Sequence, residues 1–243
     1  MSAEIRIAVF SDVHGNVQAL RAVLDEIERR GPYDEIIAAG DYCLKGPEPV
    51  AALEIVRERA TRMLIGNTDR DIHDGGASLA DPSGRKLEAI EWTRERMGPE
   101  RVNFLGELEF EVTIQAPDGA ILQVVHANPR DLTTHIMPDW SAGEVLAIVE
   151  GSPADTLVFG HLHIAYTRRV NGLRLFDVAA CGLPQDGDRR AAWGEFIWSP
   201  EDGWRGAIHR VGYDVAETIL HIVRSDMPAQ KRRIRDLVTA AYA

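Results

Sequence analysis

Cysteine is scarce, with only Cys43 and Cys181 in 243 residues. Two thiols far apart in sequence give no disulfide framework and exclude a thiolate-rich structural zinc site. Long apolar runs are missing as well. Nothing approaches the roughly 20 residues that a membrane helix requires, and the first residues carry no basic and apolar leader. A reducing cytoplasm and no membrane partner are therefore expected. Positive charge is in deficit, with 27 basic residues against 38 acidic and a formal net charge of -11. No basic run is longer than Lys231-Arg232-Arg233. Such a surface makes long nucleic acid a poor partner, while a local cationic site remains compatible with it. Repeats, low-complexity tracts and linkers are absent too, so one domain over 1–243 is expected, closed by a hairpin and helices from about 190 to 243.

What the chain does contain is a series of short apolar runs that each stop at a group able to bind a cation. Ile5 to Phe10 reads as a buried strand, and it runs into Ser11-Asp12-Val13-His14-Gly15-Asn16. Residues two apart on extended chain face one side, so Asp12 and His14 leave the strand end together. Asn16 suits an N-cap, and Val17, Leu20, Val23, Leu24 and Ile27 follow helical spacing until Gly31-Pro32. The pattern then repeats. Glu35 to Ala39 ends at Gly40-Asp41, a helix carries Val50, Leu53 and Val56, and Met63 to Ile65 ends at Gly66-Asn67. Residues 71–85 are small, polar and turn-forming, which suggests a loop or flap beside the site, and a charged helix is expected from Lys86 to Met97.

Further along, Phe110 to Ile114 alternates, Pro117-Asp118-Gly119 is a hairpin turn, and Ile121 to Val125 ends at His126. Ser141 and Glu144 form a capping-box pattern for a helix, after which Thr156 to Phe159 ends at Gly160-His161-Leu162-His163. Asn171-Gly172 marks a hairpin between 166–170 and 173–178. A second hairpin joins 192–198 to 204–211, and helices are expected at 214–224 and 228–241.

In open α/β sheets ligands bind at the carboxyl ends of strands, so Asp12, His14, Asp41, Asn67, His126, His161 and His163 are placed to converge. All offer oxygen or imidazole nitrogen. That donor set suits catalytic divalent ions such as Mn²⁺, Fe²⁺, Zn²⁺ or Ni²⁺. Seven donors exceed what one ion with an open position needs, so two ions sharing a carboxylate are expected.

The ordered set Asp12-Val13-His14, Gly40-Asp41, Gly66-Asn67, His126 and Gly160-His161-Leu162-His163 resembles the calcineurin-like metallophosphoesterase family. Within it, Ser11 to Asn16 and Gly46-Pro47-Glu48-Pro49 are similar to small prokaryotic phosphodiesterases and relatives of diadenosine tetraphosphatase. The resemblance implies an α/β fold of two mixed sheets packed as a sandwich between helices. It also implies a first ion on Asp12, His14 and His163, a second on Asn67, His126 and His161, and Asp41 as the bridge. Asp41, Asn67 and His126 are thereby expected as catalytic residues, and the activity as hydrolysis of a small phosphoester or nucleotide, foremost a phosphodiester. A phosphomonoesterase, a dinucleoside polyphosphate hydrolase and a non-catalytic binding module on the same fold are the alternatives, and self-association into a homo-oligomer is left open.

Two positions depart from the family pattern. The histidine that often follows Gly-Asn, thought to assist the leaving group, is here Thr68, and the common Asn-Pro-Gly-Ser loop is Ala180-Cys181-Gly182-Leu183. His73 and His135 are candidate replacements for the missing acid. Lys45, Arg70 and Arg130 each follow a candidate ligand motif closely enough to reach a phosphate oxygen.

Overall fold

The computed structural model describes residues 4–77, 79 and 84–241. Two five-stranded sheets face each other. The first has the order β10-β9-β1-β2-β3, built from Gly203–Val211, Ala191–Ser199, Ile5–Phe10, Glu35–Ala38 and Arg62–Met63. The second runs β4-β5-β6-β8-β7, from Glu111–Gln115, Ile121–Val125, Thr156–Phe159, Leu173–Asp177 and Tyr166–Val170. Both are mixed, as expected: β1, β2 and β3 are parallel, as are β5, β6 and β8, and hairpin partners add antiparallel strands.

Alternation along each strand separates the layers. Ile7 and Val9 of β1 point into the core between the sheets with Ile37, Leu122, Val124 and Val158. Ala8 and Phe10 point outward, where α1 (Val17–Arg30) and α2 (Pro49–Arg59) cover the sheet through Leu20, Leu24, Leu53 and Val56. On the far side α5 (Ala142–Ile148) covers the second sheet through Val145. The result is helix, sheet, sheet, helix.

The terminal hairpin is less peripheral than its sequence position implies. β9 lies beside β1 with Val9 opposite Gly194, so both strands flanking β1 are in place before its end releases Asp12. Two helices follow, α6 (Val215–Arg224) and α7 (Gln230–Thr239). Asp214 accepts from the Glu217 N–H at 2.9 Å, which caps α6. Among the described residues no helix is long and apolar enough to cross a membrane.

Three local expectations need correction. The third strand covers only Arg62–Met63: Leu64 N still donates to Ala38 O of β2 at 2.8 Å, and Ile65 N then turns to Glu109 O at 2.8 Å. The expected 71–85 loop begins as helix, because α3 (Asn67–His73) opens at Asn67 and takes its first residues. Residues 78 and 80–83 of that loop lie outside the described residues. The charged helix, α4, runs over Arg85–Gly106 and breaks at Gly98 (φ 71°), where Pro99 starts its second half.

Candidate metal centre

The carboxyl ends of the parallel strands in both sheets meet at one edge of the sandwich. Leaving β1, β2 and β6, the chain turns sharply enough that Asp12, His14, Asp41, His161 and His163 all have left-handed backbones, with φ between 48° and 66°. Two close approaches make this packing feasible. A Cβ on Gly66 would sit 2.2 Å from Asp41 Oδ1, and one on Gly160 would sit 2.5 Å from Asp12 Oδ2.

Imidazoles and carboxylates converge on this edge. His163 Nε2 lies 3.0 Å from Asp12 Oδ1 and 3.2 Å from His14 Nε2. Asp41 reaches two ways, with Oδ2 3.7 Å from His14 Nε2 and Oδ1 3.6 Å from His126 Nε2. His126 Nε2 is also 3.1 Å from Asn67 Oδ1. Ligand atoms of Asp12, His14 and His163 form one group that could hold a cation, those of Asp12, Asp41 and His126 another, each within 4.8 Å.

The ring orientations test whether a cation fits. His14 Nδ1 is 2.8 Å from Leu44 O, His163 Nδ1 2.6 Å from Leu183 O, and His126 Nδ1 2.8 Å from Ala39 O. A carbonyl only accepts, so each Nδ1 must donate and each neutral ring presents a lone pair at Nε2. Lone pairs then face lone pairs. Two Nε2 acceptors at 3.2 Å repel unless a proton or metal ion lies between them. The donor set fits divalent metal.

Charge follows the same logic. Burial alone would raise Asp12, but His163, His126 and His14 outweigh it and hold the carboxyl well below its usual range. Burial, then Lys45 and His163, pushes His14 well down, and burial with His126 lowers His161 to about 3. Burial would also lower His126, yet Asp41 and Asp12 raise it, so the carboxylates favour positive charge at that ring.

His161 is placed differently from the others. Its Nε2 donates to Thr133 O at 2.9 Å, which leaves the lone pair of its neutral ring on Nδ1, and its ring lies 5.0 Å from that of His126. Its backbone N–H donates to Asp12 Oδ2 at 2.9 Å. His135 packs edge-on against His161, with ring centroids 4.4 Å apart, whereas His73 is exposed and turned to Val102 O on α4. Thr68 is 1% exposed and its Oγ1 has no hydrogen-bond partner among the described residues, so this side chain packs inward.

Of the three candidate phosphate-binding cations, Lys45 stands nearest the cluster. Burial lowers it, while Asp41 and Asp12 pull it upward through their charge. Arg70 is exposed on α3, and Arg130 pairs with Glu150 at 2.7 Å on the surface.

Sequence reasoning missed Asp69. Its carboxylate accepts from Asp41 N at 2.7 Å, Gly66 N at 2.9 Å and Tyr42 N at 3.1 Å, tying the second strand-end loop to the third. Burial and Asp41 push it up to about 7 against the pull of those three donors. The available signal was its place three residues after Gly66 at the start of a helix. Asp69→Ala should strand three N–H groups at about 1–3 kcal/mol each if they stay dry. A fall of roughly 3 kcal/mol in unfolding free energy is expected by urea titration, with a smaller fall for Asp69→Asn, which keeps one acceptor. Equal stability of Asp69→Ala and wild type would show the tie to be dispensable.

Comparison with known proteins agrees with this architecture. Residues 5–195 match the calcineurin-like phosphoesterase superfamily domain. An uncharacterized protein of Methanocaldococcus jannaschii is 27% identical over 239 residues, spanning 91% of this chain and 93% of its own. A probable metallophosphoesterase of Mycoplasma genitalium is 24% identical over 198 residues, spanning 82% of this chain and 90% of its own. The crystal structure of a metallophosphoesterase from Sphaerobacter thermophilus superposes with a TM-score of 0.76 at 24% identity, over 98% of this chain and 99% of that one. With the matched domain covering well over half its length, the chain belongs to the calcineurin-like phosphoesterase superfamily, a family of metal-dependent phosphoester hydrolases.

Proposed function

We propose that this chain is a phosphodiesterase acting on small phosphoesters with two divalent transition-metal ions, Mn²⁺ being the favoured pair. The observation that carries the reading is the opposed pair of His14 and His163 Nε2 atoms, 3.2 Å apart with each Nδ1 committed to a carbonyl. Asp12, His14 and His163 would hold one ion, and Asn67, His126 and His161 the other. The two oxygens of Asp41 face the two halves and would bridge them. When bound, such a pair lowers the pKa of water and neutralises charge on the phosphoryl oxygens.

The chain's own groups supply the rest. Carbonyls of Leu44, Leu183, Ala39 and Thr133 fix the four imidazole orientations before substrate arrives. Asp69 positions the Asp41 loop through its backbone. Lys45 is the cation we assign to a non-bridging phosphate oxygen, with Arg70 and Arg130 as weaker candidates because both stand exposed.

Elemental analysis after chelation and Mn²⁺ reconstitution should find close to two ions per chain. A panel of p-nitrophenyl phosphate, bis-p-nitrophenyl phosphate and dinucleotides should then show Mn²⁺-dependent hydrolysis, with the diester favoured. Trace metal occupancy after reconstitution would refute the ligand assignment.

A further inference from the structure

Beside the metal-ligand cluster lies a cavity of about 180 Å³ between the start of α4, the start of α7 and the loop after Asp41. Its lining includes Lys45, Arg85, Lys86, Arg232 and Arg233, and no acidic residue among the described residues. In a chain of net charge -11 that is a sharp local reversal. Asp71 pairs with Lys86 at 2.8 Å, and Asp236 lies 3.2 Å from Arg233 and 3.8 Å from Arg232, so two carboxylates just outside the lining offset only part of the charge of five cations. Leu44, Ala89, Trp92 and Met227 add apolar surface to the lining. Lys45, Gly46 and Arg233 also line a second, smaller cavity together with His14, so the basic cavity is linked to one candidate ligand through shared lining residues.

We infer that this cavity binds a second phosphate group of the substrate, beyond the ester that is cut. The preferred substrates are thereby compounds with at least two phosphates, such as an oligophosphate chain or a nucleotide polyphosphate. The inference rests on the phosphoesterase reading of the cluster and adds its substrate class. Arginine forks match phosphate oxygens in pairs, and besides Lys45 the lining gathers Arg85, Lys86, Arg232 and Arg233 around one space with only two carboxylates beside it. A long polyanion is a poor occupant, since the surrounding surface is acidic and the cavity is small.

The test uses the Mn²⁺-loaded protein in excess Mn²⁺, so that phosphate probes do not strip the site. Inorganic tripolyphosphate and orthophosphate are compared as inhibitors of bis-p-nitrophenyl phosphate hydrolysis, and tripolyphosphate binding is measured in parallel by calorimetry. For Arg85→Gln combined with Arg232→Gln, both exposed side chains, tripolyphosphate should weaken about tenfold or more, as expected from losing charge-assisted contacts. The inhibition constant of orthophosphate should move less than twofold. Equal weakening of both probes, or of neither, would overturn the inference. If wild type hydrolyses no ester, the functional reading fails by itself, and the calorimetric comparison still decides the cavity.

Discussion

Asp41→Asn is expected to lower kcat/KM by on the order of 10³-fold in excess Mn²⁺, more than any variant that touches one half of the centre. A bound ion pair contributes several kcal/mol to phosphoryl transfer, and each ~1.4 kcal/mol is a factor of ten. Asp41 is the side chain with one oxygen toward His14 and the other toward His126, at 3.7 and 3.6 Å. Neutralising it also removes charge that favours a cation at His126. His163→Ala removes one nitrogen beside Asp12 and leaves the His126 side intact. Steady-state kinetics and metal content of the two variants decide the matter. If Asp41→Asn keeps its activity while His163→Ala does not, the bridging role is wrong.

The second large effect concerns the leaving group. A well-placed acid contributes about 10²–10⁴-fold when an alkoxide departs, and this chain lacks an obvious one. Thr68 is buried with its hydroxyl turned inward, and His73 faces α4. His135 stands beside His161, but burial, and after it His163, pushes its pKa down, which disfavours the charged ring that would protonate a leaving group. Rates should therefore fall steeply as leaving-group pKa rises, and bis-p-nitrophenyl phosphate should outpace p-nitrophenyl phosphate. His135→Ala should leave the slope unchanged. A shallow wild-type slope that steepens in His135→Ala would make that histidine the acid.

The candidate ligands were legible because each follows an apolar run that can only be a strand, and strand ends in such folds gather at one edge. Asp12, His14, Asp41, His126, His161 and His163 needed nothing more than that. Other features depend on partners distant in sequence. β9 beside β1 joins residues nearly two hundred positions apart, and no local pattern encodes that pairing. Thr68 reads only as the residue standing where the family often has histidine, and its burial emerges from the packing of α3. The basic cavity draws on Lys45, α4 and α7 together, so its charges are scattered through an acidic sequence. The break in α4 is different, since Gly98-Pro99 was visible and simply stops one helix where another begins.

The left-handed backbone at five of the candidate ligands links coordination chemistry to heredity. Aspartate, asparagine and histidine are the residues that enter this conformation most readily after glycine, whereas β-branched residues are rarely found there. The side chains that can bind the ions are thus largely the ones these turns tolerate. Drift from Asp12 or Asp41 to asparagine, or from His161 to asparagine or glycine, asks little of the loop backbone while removing a strong donor. Drift to valine or isoleucine costs roughly 1–3 kcal/mol in strain before any chemistry is lost. A candidate ligand lost by a step to asparagine or glycine leaves the conformational demand of its turn met.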